Sequence, residues 1–506
     1  MNKRFDFLRL INLDKGEFLK YFSFTFACYV LPLIAIGLSN YPYFDDTWRR
    51  AMGYTGFGHD YSRWGSEFLS WLIQGSRHLV DTGLTNYVLV ALILSLASLI
   101  LVTTISRISF WSLFASIIIG LNPWFLGAIS FKFDAPFMAI SVLASVFPFL
   151  FWKDKKFVWV SVLSLFLMYN TYQASAGLFL VIFLIKIYKE LIEGKKWQSL
   201  GKSLLLGGFS FLLPTILYYL QLKIFPVNPA MGQNTAVSAN VLSQLLRNVY
   251  TYLDMIRDNS AKVWIVIFAC LILSFVVTEL FKSKVNPIQT VTYLVLLLIF
   301  GSILSVGLYL FLGSITVAPR YIYGFPFFIT CLSLVMLDGR RVRRSFVLTS
   351  TGKIIATLFS FFILQFSFVY AGVLTNQREA LQLQTTQLAD SIDEIDFNDK
   401  NVYFSENLFS DSRVLRSAQQ NYPILKSGFT QLLISNSAST ESFINHQIMQ
   451  NLYQNVPLGD TNFETNALTP VQGQNIADGK AKKISETNRW AVYSFENEVY
   501  IVADQA

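Results

Sequence analysis

The chain has 506 residues, of which 53% are hydrophobic and only 14% are charged, and its mean hydropathy is +0.45. Because a soluble domain carries about 25% charged residues, this composition excludes an ordinary soluble enzyme and indicates a protein embedded in lipid. The net charge of +8 does not indicate nucleic-acid binding, since the basic residues form short clusters between apolar runs rather than one basic face.

Apolar runs typical of membrane spans recur through most of the chain before residue 376. They predict helices near 21–39, 87–105, 109–129, 135–152, 157–170, 174–190, 203–224, 262–281, 288–312, 321–337 and 354–373. The predicted fold is an α-helical polytopic membrane protein with about eleven transmembrane helices. The short pair 157–170 and 174–190 is predicted either as two spans or as one re-entrant hairpin.

The loops between these runs differ in charge. Lysine and arginine gather in alternate loops, for example at 153–156 and 340–344, and such loops face the cytoplasm. The N-terminus is therefore predicted to be cytoplasmic and, with an odd number of spans, the C-terminus extracytoplasmic. The first outer loop, 40–86, breaks the rule because it carries Arg49, Arg63 and two further arginines, which suggests another role for them.

From about residue 376 the composition becomes polar, and no further run of spanning length follows. A helical period covers 377–395, strand patterns cover 401–404 and 432–435, and a hairpin pattern joins 491–495 to 499–503. The sequence therefore predicts a membrane domain over 1–375 and a small extracytoplasmic α/β domain over 376–506.

The outer loop 40–86 contains the strongest candidates for chemistry. Asp45 and Asp46 stand directly after the first predicted span, where a partly desolvated carboxylate is suited to act as a general base. Arg49 follows Asp45 by four residues, which places the two side chains on one face of a helix. The alternative is a solvated charged face, which is the usual setting of paired charges in a loop.

The later part of this loop has the spacing of an amphipathic helix over 61–74, with aromatic residues on one side and Arg63 on another. The aromatic residues are Trp64, Phe68 and Trp71. They are typical of a belt at the membrane interface, so this helix is predicted to lie in the plane of the interface.

No metal site built by the protein is predicted. His59 and His78 are more typical of loop histidines than of ligands, and the carboxylates are not clustered. The cysteines lie far apart in apolar runs and lack the spacing of metal ligands. No cofactor is predicted, and the use of a divalent metal is left open.

Three further polar sites interrupt the apolar runs. Lys132 lies in 122–136, where an Asn-Pro pair predicts a break in the helix. Tyr172 and Gln173 stand between two short runs, where phenol and amide groups suit sugar hydroxyls, or else they form a plain polar turn. Arg320 lies at the outer end of a predicted span, as a phosphate ligand or as a snorkelling arginine.

These motifs resemble those of a known family. YFDDTWRRAMGY (43–54), GSRHL (75–79), YNTYQAS (169–175) and APRYIYGF (318–325) resemble sites of the glucosyl transferase II membrane enzymes, known from phage serotype conversion and from cell-envelope polysaccharide loci. The resemblance covers roughly 20–375. It implies membership of the GT-C-like class of multi-span enzymes, whose donor is a sugar on a polyprenyl phosphate and which keep an essential acid in the first outer loop.

The resemblance implies an inverting glycosyltransferase in a bacterial plasma membrane. Its donor would be a polyprenyl-phosphate hexose, glucose-like or an N-acetylhexosamine, and its acceptor a cell-envelope polysaccharide or lipid-linked glycan at the outer face. Asp45 or Asp46 would take the proton of the acceptor hydroxyl. The residues expected to bind the donor phosphate or the substrate are Arg49, Arg63, Lys132, Tyr172, Gln173 and Arg320.

Two other classes of function remain open from the sequence. A transporter or flippase of a lipid-linked sugar usually shows interrupted helices at the midplane and internal repeats, and the sequence shows neither. A non-catalytic component of polysaccharide assembly would use the polar C-terminal domain for binding. Dispensable acids in the first outer loop would favour either of these readings over the enzyme.

Overall fold

The computed structural model describes residues 7–503 except 42, 44, 45, 47, 48, 51, 52, 229–239, 314–317, 340–345, 393, 394, 396–399, 406–408 and 427–463. The chain divides into two compact units. The first comprises Met1–Leu38 and Thr55–Ala371, and the second comprises Ser39–Tyr54 and Gly372–Ala506. The domain boundary predicted at 375/376 stays a prediction.

The first unit is helical throughout its described elements. Its helices are α1 (Phe7–Leu10), α2 (Lys15–Ser39), α3 (Phe57–Tyr61), α4 (Trp64–Gln74), α5 (Thr85–Ile105), α6 (Phe110–Ser116), α7 (Ile118–Leu121), α8 (Pro123–Ile129), α9 (Ala135–Val146), α10 (Phe157–Tyr169), α11 (Ala176–Ile192), α12 (Trp197–Ile224), α13 (Val241–Asn259), α14 (Lys262–Lys282), α15 (Pro287–Leu304), α16 (Gly324–Leu337) and the part of α17 (Phe346–Ile392) up to Ala371. Short 3₁₀ turns cover Phe147–Phe151, Gln173–Ser175, Gly307–Phe311 and Pro319–Tyr321.

Each of the eleven predicted apolar runs is helical, but only some are long enough to cross a membrane. Six of the described helices pass by length and composition, and a seventh candidate is the bent pair Phe110–Leu121 with Pro123–Ile129. The described part of the chain is therefore mostly helical, with six or seven candidate membrane spans plus several shorter apolar helices, and the number of about eleven spans stays a prediction.

The shorter apolar helices differ from these candidates in length. The helices α9, α10, α11 and α16 have 12, 13, 17 and 14 residues, and α9 continues into the following 3₁₀ turn as one apolar helix over Ala135–Phe151. At about 1.5 Å per residue the four α-helices extend about 18–26 Å, compared with a hydrocarbon core of about 30 Å. Nearly every residue of α9 and α16 is buried by neighbouring helices.

The bend before α8 follows directly from the sequence. Pro123 occupies the first turn of α8, and the side chain of Asn122 caps that helix by accepting a hydrogen bond from the backbone N–H of Phe125 at 2.9 Å. Proline lacks the N–H that a continuous helix needs, so the chain restarts with a bend of 55°.

Close packing in the first unit depends on glycine at one point. A Cβ built on Gly177 of α11 or on Gly324 of α16 would lie 2.0 Å from the backbone oxygen of Ser305. Gly307 follows with a φ of +67°, which side chains disfavour. These glycines let α11 and α16 approach the end of α15 more closely than any side chain would allow.

The second unit contains a five-stranded mixed sheet. Its strands are β1 (Asn401–Phe404), β2 (Glu464–Ala467), β3 (Lys482–Glu486), β4 (Trp490–Phe495) and β5 (Glu498–Ala503), in the order β2-β1-β5-β4-β3. β1 is parallel to β2 and β5, whereas β3, β4 and β5 are antiparallel. The predicted strand at 401–404 and the predicted hairpin are confirmed, and the predicted strand at 432–435 lies outside the described residues.

The core of this sheet explains its pattern. Val492, Val499 and Ile501 are fully buried, together with Trp490, and Leu388 from the end of α17 packs against them. The alternation of these residues along β4 and β5 places one face of the hairpin in the core. Two helices, α18 (Arg413–Asn421) and α19 (Pro470–Ala477), complete the described part of the α/β domain.

Candidate active site

A polar site in the first unit begins at the turn between α3 and α4. Gly56 and Ser62, which flank α3, both have left-handed backbones, with φ of 60° and 53°. Such a conformation is costly for serine, so the surrounding contacts must hold it. The turn at Ser62 reverses the chain and places Arg63 at the start of α4.

Arg63 is buried and contacts residues from three other parts of the chain. Its Nε donates a hydrogen bond to Oε1 of Gln173 at 3.2 Å, and its Nη1 lies 3.6 Å from Oδ1 of Asp134. The guanidinium carbon lies 5.0 Å from the centre of the Tyr172 ring and 5.2 Å from that of Tyr61. A hydrogen bond, an ion pair and two rings therefore hold the guanidinium group in one orientation.

The charge of Arg63 is retained despite its burial. Burial disfavours a charged guanidinium and is the largest single effect on this group. The attraction of the Asp134 carboxylate is the main opposing effect, and the net result is a pKa of Arg63 above its ordinary value. The site thus keeps a fixed cation that is largely shielded from water.

Arg320 belongs to the same region through Tyr172. The hydroxyl of Tyr172 donates to the backbone oxygen of Arg320 at 3.4 Å. The guanidinium of Arg320 lies over the rings of Phe131 and Tyr321, at 5.3 and 5.1 Å from their centres. Burial raises the pKa of Tyr172 well above its ordinary value, an effect that Tyr321 strengthens and Arg320 weakens, so the phenol stays protonated.

We call Arg63, Arg320, Asp134, Tyr172 and Gln173 the arginine cluster. Its members come from the start of α4, the turn before α9, the turn before α11 and the turn at Pro319–Tyr321. Four of the sites that the sequence singled out are therefore joined by direct contacts. The chemistry of such a cluster, two cations beside one carboxylate with aromatic walls, suits an anionic group attached to a polar ring.

Lys132 has a different immediate partner. Its Nζ forms an ion pair with Oδ1 of Asp81 at 2.5 Å, and Nδ2 of Asn86 donates to its backbone oxygen at 2.9 Å. Lys132 is only 7% exposed. The ion pair fixes the turn before α9, the helix at whose start Asp134 lies.

The predicted acidic residues lie in the second unit. Asp46 and Arg49 are each only 2% exposed, and Asp45 lies outside the described residues. The backbone N–H of Asp46 bonds to the oxygen of Tyr43 at 3.0 Å, and Nη1 of Arg49 donates to the oxygen of Tyr54 at 3.4 Å.

The predicted helix over 61–74 is confirmed as α4, and its exposed face is apolar. Phe68 and Leu72 are 61% and 78% exposed, whereas Ser66, Glu67 and Ser70 are buried. Glu67 accepts hydrogen bonds from the hydroxyl of Thr55 and from the N–H of Gly58. An amphipathic helix in water shows the reverse pattern, so the outer face of α4 is built for an apolar surrounding.

The sequence pointed to the arginine cluster, with Asp134 in the same polar site as Lys132, but missed its supporting residues. Tyr61, Tyr218 and Gln221 contact Arg63 or its neighbours in the structure. Tyr218 and Gln221 carry the one signal that was available, since they are polar groups inside the apolar run 203–224. Within the described residues, no group of three or more His, Cys, Asp or Glu side chains is arranged to hold a metal ion.

Comparison with known proteins identifies the family. Residues 34–331, which include the arginine cluster and more than half of the chain, match the family described as glucosyl transferase GtrII. Searches of the curated proteins and of the solved structures found no match. The family match confirms the resemblance seen in the sequence motifs. The chain therefore belongs to the glucosyl transferase GtrII family, which implies a membrane glucosyltransferase.

Proposed function

We propose that the protein moves a hexose from a polyprenyl-phosphate donor to a cell-envelope polysaccharide or lipid-linked glycan, with inversion at the anomeric carbon. The proposal includes a GT-C-like architecture in a bacterial plasma membrane, with a cytoplasmic N-terminus and the reaction at the outer face. The observation that carries it is the arginine cluster in a chain of the glucosyl transferase GtrII family.

The cluster supports a lipid phosphate as the anchor of the donor. Arg63 uses Nε for Gln173 and faces Asp134 through Nη1, which leaves other N–H groups of its fork for phosphate oxygens. Arg320, whose backbone oxygen accepts a hydrogen bond from Tyr172, supplies a second guanidinium group, which lies over the rings of Phe131 and Tyr321. A phosphodiester carries one negative charge, and a second charge develops on it as the sugar leaves. Cations already fixed in place stabilise that charge without reorganisation.

The proposed step needs no covalent intermediate. A carboxylate of Asp45 or Asp46 accepts the proton of the acceptor hydroxyl, and that oxygen forms a bond to the anomeric carbon. The bond from this carbon to the phosphate oxygen breaks, and polyprenyl phosphate leaves with the electron pair. One displacement inverts the configuration. Arg49 and Lys132 are the further cations proposed to offset the phosphate charge.

The roles proposed for Tyr172 and Gln173 follow from what they touch. The guanidinium of Arg63 lies over the ring of Tyr172, and the hydroxyl of Tyr172 donates to the backbone oxygen of Arg320. Tyr172 therefore contacts both arginine residues. Gln173 bonds to Arg63 directly. These contacts support the proposal that both residues belong to the donor site, beside the groups proposed to bind the phosphate.

The test is the glycan composition of the cell envelope in a deletion strain. The strain is complemented with wild type, with Asp45→Asn, with Asp46→Asn, and with Asp254→Asn on α13 as a matched control. We expect one sugar to disappear in the deletion strain, to return with wild type and the control, and to stay absent with at least one of the loop variants at normal protein level. Full restoration by both loop variants would refute the assignment of the base and favour a transporter or assembly role.

A further inference from the structure

The arginine cluster is supported by residues of a helix that carries none of the predicted site residues. We infer that Tyr218 and Gln221 of α12 are positioning residues that hold Arg63 in its donor-binding orientation, acting through Ser62 and Gln173. This inference rests on the proposed function, because it takes Arg63 as a ligand of the donor phosphate.

The first line of support is the strained turn at Ser62. The backbone there is left-handed, with φ of 53°, and Arg63 is the next residue. Nε2 of Gln221 donates to the Ser62 hydroxyl at 3.3 Å, and the hydroxyl of Tyr218 donates to the Ser62 backbone oxygen at 3.4 Å. Two side chains of α12 thus hold both the side chain and the carbonyl of the residue that sets the direction of Arg63.

The second line of support is the orientation of Gln173. Its Nε2 donates to the hydroxyl of Tyr218 at 2.8 Å and to the backbone oxygen of Tyr61 at 3.1 Å. Its Oε1 then faces Arg63 and accepts the Nε hydrogen bond at 3.2 Å. Because an amide has one donor end and one acceptor end, the Tyr218 hydroxyl helps decide which end Arg63 meets.

The third line of support is a reciprocal pair of amides. Nδ2 of Asn170 donates to Oε1 of Gln221 at 3.0 Å, and Nε2 of Gln221 donates to Oδ1 of Asn170 at 2.8 Å. The backbone oxygen of Asn170 in turn accepts from the N–H of Ser66 at 3.0 Å. Gln221 is therefore connected to the chain on both sides of Arg63, at Ser62 and at Ser66.

Polar residues are rare in membrane helices unless they have a task, because their hydrogen-bonding groups must be satisfied within the protein. Tyr218 is 8% exposed, whereas Tyr219, the next residue of the same helix, is 55% exposed. The two tyrosines therefore provide a matched pair for mutagenesis. The hydroxyl of Tyr218 bonds to Gln173 and Ser62, whereas Tyr219 is an exposed side chain of the same helix.

The test uses purified full-length protein in lipid vesicles with a short-chain polyprenyl-phosphate glucose as donor. Tyr218→Phe and Gln221→Leu remove the supporting hydrogen bonds while keeping most of the side-chain volume, and Tyr219→Phe is the control. We expect each of the first two variants to raise the donor KM by about fivefold, the effect of losing about one net hydrogen bond, with kcat changed by less than about twofold. The control should match wild type.

A double-mutant cycle separates positioning from general stability. In an Arg63→Lys background, Tyr218→Phe should change the donor KM by less than about twofold, since its effect runs through Arg63. An unchanged KM in both single variants would overturn the inference. So would an equal effect of Tyr218→Phe with and without Arg63→Lys, even where thermal unfolding shows some loss of stability.

The donor-binding role of Arg63 and the positioning role of α12 can fail separately. If Arg63→Lys leaves the donor KM unchanged, Arg63 does not bind the donor and the proposed function loses its phosphate ligand. If Arg63→Lys raises the KM but neither α12 variant does, the donor site stands and only the positioning role is lost.

Discussion

The substitution Arg63→Lys tests the arginine cluster while keeping its charge. Lysine preserves the cation beside Asp134, so no buried carboxylate is left without a counter-charge. It removes the Nε donor that meets Gln173 at 3.2 Å and the planar group that lies over Tyr172 and Tyr61. The change therefore isolates the fork geometry from the charge.

The expected magnitude follows from these two losses. A hydrogen bond from a charged donor contributes about 1.5–3 kcal/mol, and a cation over an aromatic ring about 0.5–2 kcal/mol. Lysine recovers part of each, so we expect a net loss of about 1.5–3 kcal/mol of transition-state stabilisation. This corresponds to a fall in kcat/KM of about 10-fold to 150-fold.

The assay is transfer of glucose from a short-chain polyprenyl-phosphate donor by protein in lipid vesicles. Arg77→Lys is a matched control, because Arg77 also lies over an aromatic ring, that of Trp71 at 4.7 Å, but is exposed. The reasoning is refuted if Arg63→Lys retains kcat/KM within about twofold of wild type, or if Arg77→Lys falls by as much as Arg63→Lys.

Three further predictions concern the backbone, the packing and the second unit. Ser62 has a φ of 53°, a conformation that a β-branched residue disfavours, so Ser62→Val should lose most transfer activity. Ser62→Gly should keep most of it, because glycine adopts this conformation readily. An equal loss in both variants would contradict the argument that the turn is strained. Gly177→Ala should lower the thermal midpoint of the purified protein, because the added Cβ would lie 2.0 Å from the backbone oxygen of Ser305 and overpacking costs about 1–3 kcal/mol. Gly208→Ala is the control and should be neutral or stabilising, since a Cβ added there would meet no atom within 4 Å. Burial raises the pKa of Asp411 above its ordinary value of 3.8, and hydrogen bonds from Gln377 and Gln419 oppose this shift. The stability that the protonated carboxyl of Asp411 contributes is therefore present below pH 3.8 and is lost as the pH rises through the folded-state pKa. Asp411→Asn should therefore raise the thermal midpoint at neutral pH and have no effect below pH 3.8, and the opposite trend would show that the ionised carboxylate is the stabilised form.

The sequence predicted helices well because apolar composition marks burial, either in lipid or in protein. The sequence does not separate these two cases at α9 and α16. Both helices are surrounded by neighbouring helices, so most of their apolar residues contact protein. Their neighbours come from distant parts of the chain, and no local pattern records that packing.

The candidate site was predictable in its parts but not in its contacts. Arg63, Tyr172 and Arg320 stood out because charged and polar groups are costly between apolar runs. Their convergence depends on three separate turns, and no local pattern records which turns meet. The same limit applies to Lys132, whose charge is evident from the sequence whereas its partner Asp81 is not.

In the second unit, the local sequence pattern predicts the hairpin but not the pairing of strands that lie far apart in the chain. The hairpin of β4 and β5 is local, because its two strands are joined by Glu496 and Asn497 alone. The parallel pairing of β1 with β5 joins residues almost one hundred positions apart, and it is decided by which apolar faces can share a core.

The most direct test of the central claim is a transfer experiment with two donors. Purified protein in lipid vesicles is given an acceptor glycan fraction from the deletion strain, with radiolabelled glucose carried either on polyprenyl phosphate or on a nucleoside diphosphate. The account predicts that label enters the glycan from the lipid donor alone, with inverted anomeric configuration and release of polyprenyl phosphate. Transfer from the nucleotide donor, or retention of configuration, would contradict it.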